Sequence, residues 1–149
     1  MKALQVHGVQ PIAQQHITLT GSKSETNRVL LLKALYPNLE LLNDSNAHDV
    51  AMMKEGLSKT NGTVDIHHAG TAMRFLTAYF ATLEGSDVLL TGSARMKQRP
   101  IKILVDALRT LGADVAYVEN EGFPPLQIKG KALVGGSLSM RADVSSQYL

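Results

Sequence analysis

The chain has 149 residues, enough to bury one sizeable core, and its formal net charge of +2 is modest and mixed in sign, so one compact unit without a disordered segment is expected. It contains no cysteine, which excludes disulfides, thiolate metal sites and a cysteine nucleophile. The opening Met1-Lys2-Ala3-Leu4-Gln5-Val6-His7-Gly8 lacks a signal-peptide pattern, and the apolar run beginning at Val29 is short and broken by Lys33, so the expectation is a soluble, cytoplasmic protein with no membrane partner.

In chain order, the alternation of Ile17 and Leu19 before Gly21 predicts a strand over 16–20. A helix follows over 24–35, ended by Pro37-Asn38, and 39–42 reads as a strand. Asn46 is the expected N-cap of a second helix through Lys59, with Val50, Met53 and Leu57 on one face. Asn61-Gly62 stops that helix ahead of a strand over 63–66. A third helix is expected over 71–83 and a strand over 87–90. Pro100 suits the first turn of a fourth helix that Gly112 closes. Strands over 114–118, 126–129 and 137–140 complete the series, with turns at Glu121-Gly122, Pro124-Pro125 and Gly135-Gly136.

This order hides a repeat. Leu41-Leu42-Asn43-Asp44-Ser45 precedes one helix and Leu89-Leu90-Thr91-Gly92-Ser93 another; each helix is followed by a glycine and a strand. The period of about fifty residues is that of one supersecondary unit, and Val144-Ser145-Ser146-Gln147 opens a further unit that stops at once, so the chain reads as a fragment.

The chemistry concentrates at helix openings. Gly21-Ser22-Lys23-Ser24-Glu25-Thr26-Asn27-Arg28 and Ala69-Gly70-Thr71-Ala72-Met73-Arg74 each combine small residues, hydroxyls and early cations. Backbone N–H groups and the positive end of the helix dipole favour anions there, and a cation in the same place opposes the dipole unless a ligand offsets it. The P-loop pattern is not met, because Ile17 stands where that loop needs its first glycine. In Arg95-Met96-Lys97-Gln98-Arg99-Pro100, an extended backbone would put Arg95, Lys97 and Arg99 on one side to clamp an anion. His67 and His68 are adjacent, so on a strand they would point to opposite faces; no metal site is expected. Asp44 and Asp49 are read as capping residues, and Met52, Met53, Phe75 and Tyr79 as core. Four tyrosines, three phenylalanines and no tryptophan leave little for base stacking, which argues against a nucleic-acid partner.

These motifs, with Leu90-Thr91-Gly92, Arg99-Pro100-Ile101, Phe123-Pro124-Pro125-Leu126 and Ser145-Ser146-Gln147, stand in the order and spacing of EPSP synthase, and the chain resembles the first third or so of that family. The resemblance implies an α/β (α+β) fold of repeated βαβαββ units, the enolpyruvyl transferase fold or inside-out α/β barrel, here as an incomplete domain. Residues 21–149 would form two units and the start of a third; residues 1–20 would join the other domain. It implies enolpyruvyl transfer from phosphoenolpyruvate to the 5-hydroxyl of shikimate 3-phosphate, in the shikimate pathway to aromatic amino acids, through a tetrahedral intermediate and with no metal or cofactor. Lys23 would touch both substrates as the candidate catalytic residue, while Ser24 and Arg28 would hold the shikimate moiety. Gly70 and Arg95 would hold phosphoenolpyruvate, Thr71 and Arg74 would be further substrate-binding residues, Ser145 and Ser146 would bind the phosphate of shikimate 3-phosphate, and Gln147 would lie between the ligands. The family's acidic general base falls beyond residue 149, so this chain alone is expected to be inactive. His68 stands where the family usually has Asn, and Phe75 where many members have Pro or Leu. The sister transferase acting on UDP-N-acetylglucosamine typically uses a loop cysteine, absent here. Full-length members are usually monomeric, and glyphosate, which competes with phosphoenolpyruvate, is expected to sense residue 70. The spatial expectation is that Lys23, Arg28, Arg74 and Arg95 face one hollow.

Overall fold

The computed structural model describes Gln5, Gly8, Gln14 and residues 16–140. Four helices, α1 (Lys23–Leu35), α2 (His48–Leu57), α3 (Gly70–Thr82) and α4 (Lys102–Thr110), accompany strands β1 (Asn61–Asp65), β2 (Asp87–Thr91), β3 (Asp114–Tyr117) and β4 (Leu126–Lys129). From β1 onward the order is β-α-β-α-β-β, one complete unit of the expected pattern.

The sheet runs β1-β2-β4-β3, with β1 parallel to β2 and the other neighbours antiparallel. Parallel neighbours need a crossover, and α3 supplies it. Period-two alternation then sets which side chains go inward. Val88, Ile128 and Val115 stand in register across β2, β4 and β3; Val64, Leu90 and Leu126 do so across β1, β2 and β4. All six are buried, and α3 covers β2 and β4 with Ala72, Met73, Leu76 and Phe80. Met53 is buried in the same core, while Met52, Phe75 and Tyr79 pack half-buried against it, as the sequence suggested.

Two helix ends follow from local sequence. Ser22 caps α1, its Oγ accepting the Glu25 N–H at 3.4 Å. At the far end of α4, Gly112 adopts φ +99°, its N–H donates to Arg109 O, and the Ala113 N–H donates to Leu108 O, each at 2.9 Å. This is a Schellman closure, and the left-handed position is why glycine stands there.

Several expectations are corrected. Residues 16–20 and 39–42 form no strand. Ile17, Leu19 and Leu42 are 74%, 75% and 81% exposed, and neither segment has a ladder partner among the described residues. Residues 137–140 are likewise not a strand. Ala47, not Asn46, caps α2, which ends at Leu57 rather than Lys59. Pro100 lies outside α4: the Ile101 N–H donates to Gly122 O at 2.9 Å, which delays the helix to Lys102. Asp44 and Asp49 do not serve as caps by side chain; Asp44 pairs with Lys54, which holds its carboxyl below the usual range through hydrogen bond and charge, and Asp49 pairs with Lys23.

Candidate anion site

α1 presents Lys23, Ser24 and Arg28 on an exposed surface. Lys23 Nζ lies 3.3 Å from Asp49 Oδ2 on α2. Arg28 Nη1 donates to both the carbonyl and Oγ of Ser24, each at 3.0 Å, and its guanidinium stands 5.9 Å from the Phe75 ring of α3. The one-turn spacing of Ser24 and Arg28 permits the first contact. The meeting with Phe75 requires α1 to pack on α3, which it does.

β1 ends in a tight turn that launches α3. His67 has φ +47°, and its N–H donates to Asp65 Oδ1 at 2.8 Å, a local bond that supports the left-handed conformation. His67 and His68 therefore sit in this turn and not on a strand. Among the described residues no group of three or more histidines, aspartates or glutamates is placed to hold a metal ion. Ala69, at the N-cap position of α3, offers no side-chain cap among the described residues. Gly70 is its first residue, and Arg74 Nη1 donates to the Gly70 carbonyl at 3.1 Å.

The turn after β2 locks onto that region. The Ser93 N–H donates to His67 O at 3.0 Å, and Ser93 Oγ lies 2.7 Å from His68 Nδ1. A Cβ on Gly92 would fall 2.7 Å from His67 O, so only glycine lets the two turns approach this closely. Ser93 Oγ also accepts the Met96 N–H at 3.3 Å, opening a 3-10 turn over Met96–Gln98 in which Met96 is buried.

That turn corrects the expected clamp. The segment is not extended, so Lys97 points away and pairs with Glu119 Oε1 at 2.5 Å, while Lys102 pairs with Asp106 and Glu121. Arg95 and Arg99, four residues apart, instead share one side. With His68 and Met96 they line an open cavity of about 440 Å³, a size suited to a small ligand. Neither arginine forms an ion pair or side-chain hydrogen bond among the described residues.

Of Lys23, Arg28, Arg74 and Arg95, expected to face one hollow, Arg95 lines this cavity and Arg74 does not. Gly70 and Arg74 line a small adjoining recess with Arg99. Lys23 and Arg28 are not among the lining residues of either space. Thr71 is half-buried in the first turn of α3. Ser145, Ser146 and Gln147 lie outside the described residues. Arg99 was expected beside Arg95 and Lys97 in an anion clamp, though the resemblance gave it no substrate role; the structure keeps the two arginines on one cavity and takes Lys97 away to Glu119.

The family model for EPSP synthase (3-phosphoshikimate 1-carboxyvinyltransferase) matches residues 37–149. The 3-phosphoshikimate 1-carboxyvinyltransferase of Bacteroides fragilis is 48% identical over 134 residues, covering 89% of this chain and 32% of that protein. The enzyme of the same name from Photobacterium profundum is 40% identical, covering 95% of this chain and 40% of its own length. The chain therefore spans about a third of the first relative and two-fifths of the second. Among solved structures, EPSP synthase from Acinetobacter baumannii superposes with a TM-score of 0.63 at 18% identity, over 76% of this chain and 31% of that one. That likeness shows a shared fold, the enolpyruvyl transferase fold. With the family match covering most of its length, the chain belongs to the EPSP synthase family.

Proposed function

We propose that this chain supplies part of the substrate site for enolpyruvyl transfer from phosphoenolpyruvate to the 5-hydroxyl of shikimate 3-phosphate, with release of phosphate. The observation that carries the reading is the cavity of about 440 Å³ with Arg95 and Arg99 on its wall, neither ion-paired among the described residues, beside the start of α3. Two anionic substrates repel each other in water. Fixed cations offset that repulsion before the reactants meet, and pre-positioned charge is a large share of what a transfer site contributes.

In this reading Arg95, Arg74, Gly70 and Thr71 receive phosphoenolpyruvate. Ser24 and Arg28 receive shikimate 3-phosphate, Arg28 being already held by Ser24 and Phe75. Lys23 serves both ligands, Ser145 and Ser146 hold the phosphate of shikimate 3-phosphate, and Gln147 lies between the two. Residues 21–149 belong to one domain and 1–20 to another. The partners are these two small anions, with neither nucleic acid nor membrane.

Calorimetric titration of the chain with shikimate 3-phosphate tests this. Weak saturable binding is expected, with a loss of about tenfold or more on Arg28→Ala, equal to about 1.4 kcal/mol. No turnover is expected from the chain alone. Absence of binding, or an Arg28→Ala protein that binds like its parent, would refute the assignment.

A further inference from the structure

Gly70 is helical and its φ is not in the left-handed region, so the backbone does not ask for glycine. Space does. A Cβ at residue 70 would fall 2.4 Å from Arg99 Nη1 and 3.1 Å from Arg99 Cζ. The volume that any other side chain would occupy is taken by a guanidinium arriving from the turn after β2.

Arg99 is held from behind. Its N–H donates to Met96 O at 3.0 Å, Met96 is buried, and the backbone at Arg99 is extended. From there the side chain lines both the main cavity and the recess at Gly70. The segment from Arg95 to Lys102 carries four cations, and its two lysines are consumed by Glu119, Asp106 and Glu121. The two arginines are left facing the same opening, a like-charged arrangement unfavourable without an anion between them.

We infer that Arg99 is a second anion-binding arginine of the phosphoenolpyruvate site, paired with Arg95, and that Gly70 is a positioning residue that keeps the space Arg99 needs. The inference rests on the reading above and adds a residue and a cause to it. Two planar forks suit a phosphoryl or carboxylate group better than one. A methyl group at residue 70 then acts first on Arg99 and only through it on the ligand.

Thermal unfolding and calorimetric titration with phosphoenolpyruvate, in the presence of shikimate 3-phosphate, test this on the chain with Gly70→Ala, Arg99→Ala, both together, and Arg99→Lys. Gly70→Ala alone should lower Tm by about 3 °C and weaken phosphoenolpyruvate about tenfold. With alanine at 99 the same substitution should leave Tm unchanged or raised, because the crowding is gone and alanine favours the helix. It should then cost no further affinity beyond that of Arg99→Ala. Lysine at 99 keeps charge without the fork and should recover only part of the binding. If the single losses multiply in the double variant, residue 70 acts directly on the ligand and the inference falls. If Arg99→Ala binds like the parent while Arg95→Ala does not, Arg99 lies outside the site and the proposed function stands. If neither arginine matters, both fall.

Discussion

Tyr117 shows how one atom shapes behaviour. Its hydroxyl is buried without a hydrogen-bond partner among the described residues, and the Arg109 guanidinium lies 4.9 Å from its ring. An unmatched buried polar atom costs free energy that a phenyl ring would not, so Tyr117→Phe should be neutral or stabilise the fold by up to about 1 kcal/mol. Burial, and then the charge of Asp106, raise the phenol above its ordinary value of 10.0. The folded protein thus keeps a proton that the unfolded chain releases. Its contribution is full below the unfolded value and is lost as pH rises toward the folded one. Lys102, raised above 10.5 by hydrogen bonds to Asp106 and Glu121, acts in the same direction: its contribution is lost as pH passes the folded value. Melting temperatures should therefore fall above about pH 10, less steeply in Tyr117→Phe; identical pH profiles would refute the assignment to Tyr117. At the same scale, Arg74 stood out by small residues and a cation at a helix start, and Arg95 by the basic run before Pro100, both local patterns. The joining of Arg99 to Gly70 was not legible, since it needs the turn after β2 to fold back onto the turn after β1. The loss of Lys97 to Glu119 was hidden for the same reason.

Between elements, glycines mark where backbones touch. A Cβ on Gly130 would sit 1.8 Å from Leu83 O and 2.6 Å from Phe80 O, the closing carbonyls of α3. That junction is tied further by Gly130 N–H to Ser86 O at 2.9 Å and Ser86 Oγ to Phe80 O at 3.0 Å. Carbonyls cannot step aside as side chains can, so Gly130→Ala should cost about 2 kcal/mol or more. Gly56 in α2 meets only the Leu76 side chain, at 2.4 Å. There the better helix propensity of alanine, about 1 kcal/mol, offsets part of the crowding. Chemical denaturation should rank Gly130→Ala well below Gly56→Ala, and the reverse order would refute this account of the junction. The helices and β4 were readable from the sequence because their signals are local: apolar spacing and a closing Gly112. Residues 16–20 and 39–42 read as strands in the sequence but have no neighbour to pair with among the described residues. A strand is a property of two segments, and one segment's pattern cannot supply the second.

Across the molecule, cations have been sorted by partner. Lys54, Lys59, Lys97 and Lys102 are spent on carboxylates, Arg28 leans on an aromatic ring, and Arg95 and Arg99 border open space. The electrostatic face of the protein is therefore set by folding more than by a net charge of +2. Lys23 is likewise tied to a carboxylate, Asp49 at 3.3 Å, across from the first helix to the second. Any incoming anion there competes with an incumbent. Asp49→Asn should consequently tighten the grip on shikimate 3-phosphate while slightly loosening the fold, since an acid at the start of α2 also favours that helix. Weaker binding in titrations of that variant would show no rivalry. The salt link gives Lys23 Nζ a fixed neighbour on the next helix, and on the proposed function a bound anion would exchange one partner of that lysine for another, at a cost of no more than about 1 kcal/mol for so exposed a pair.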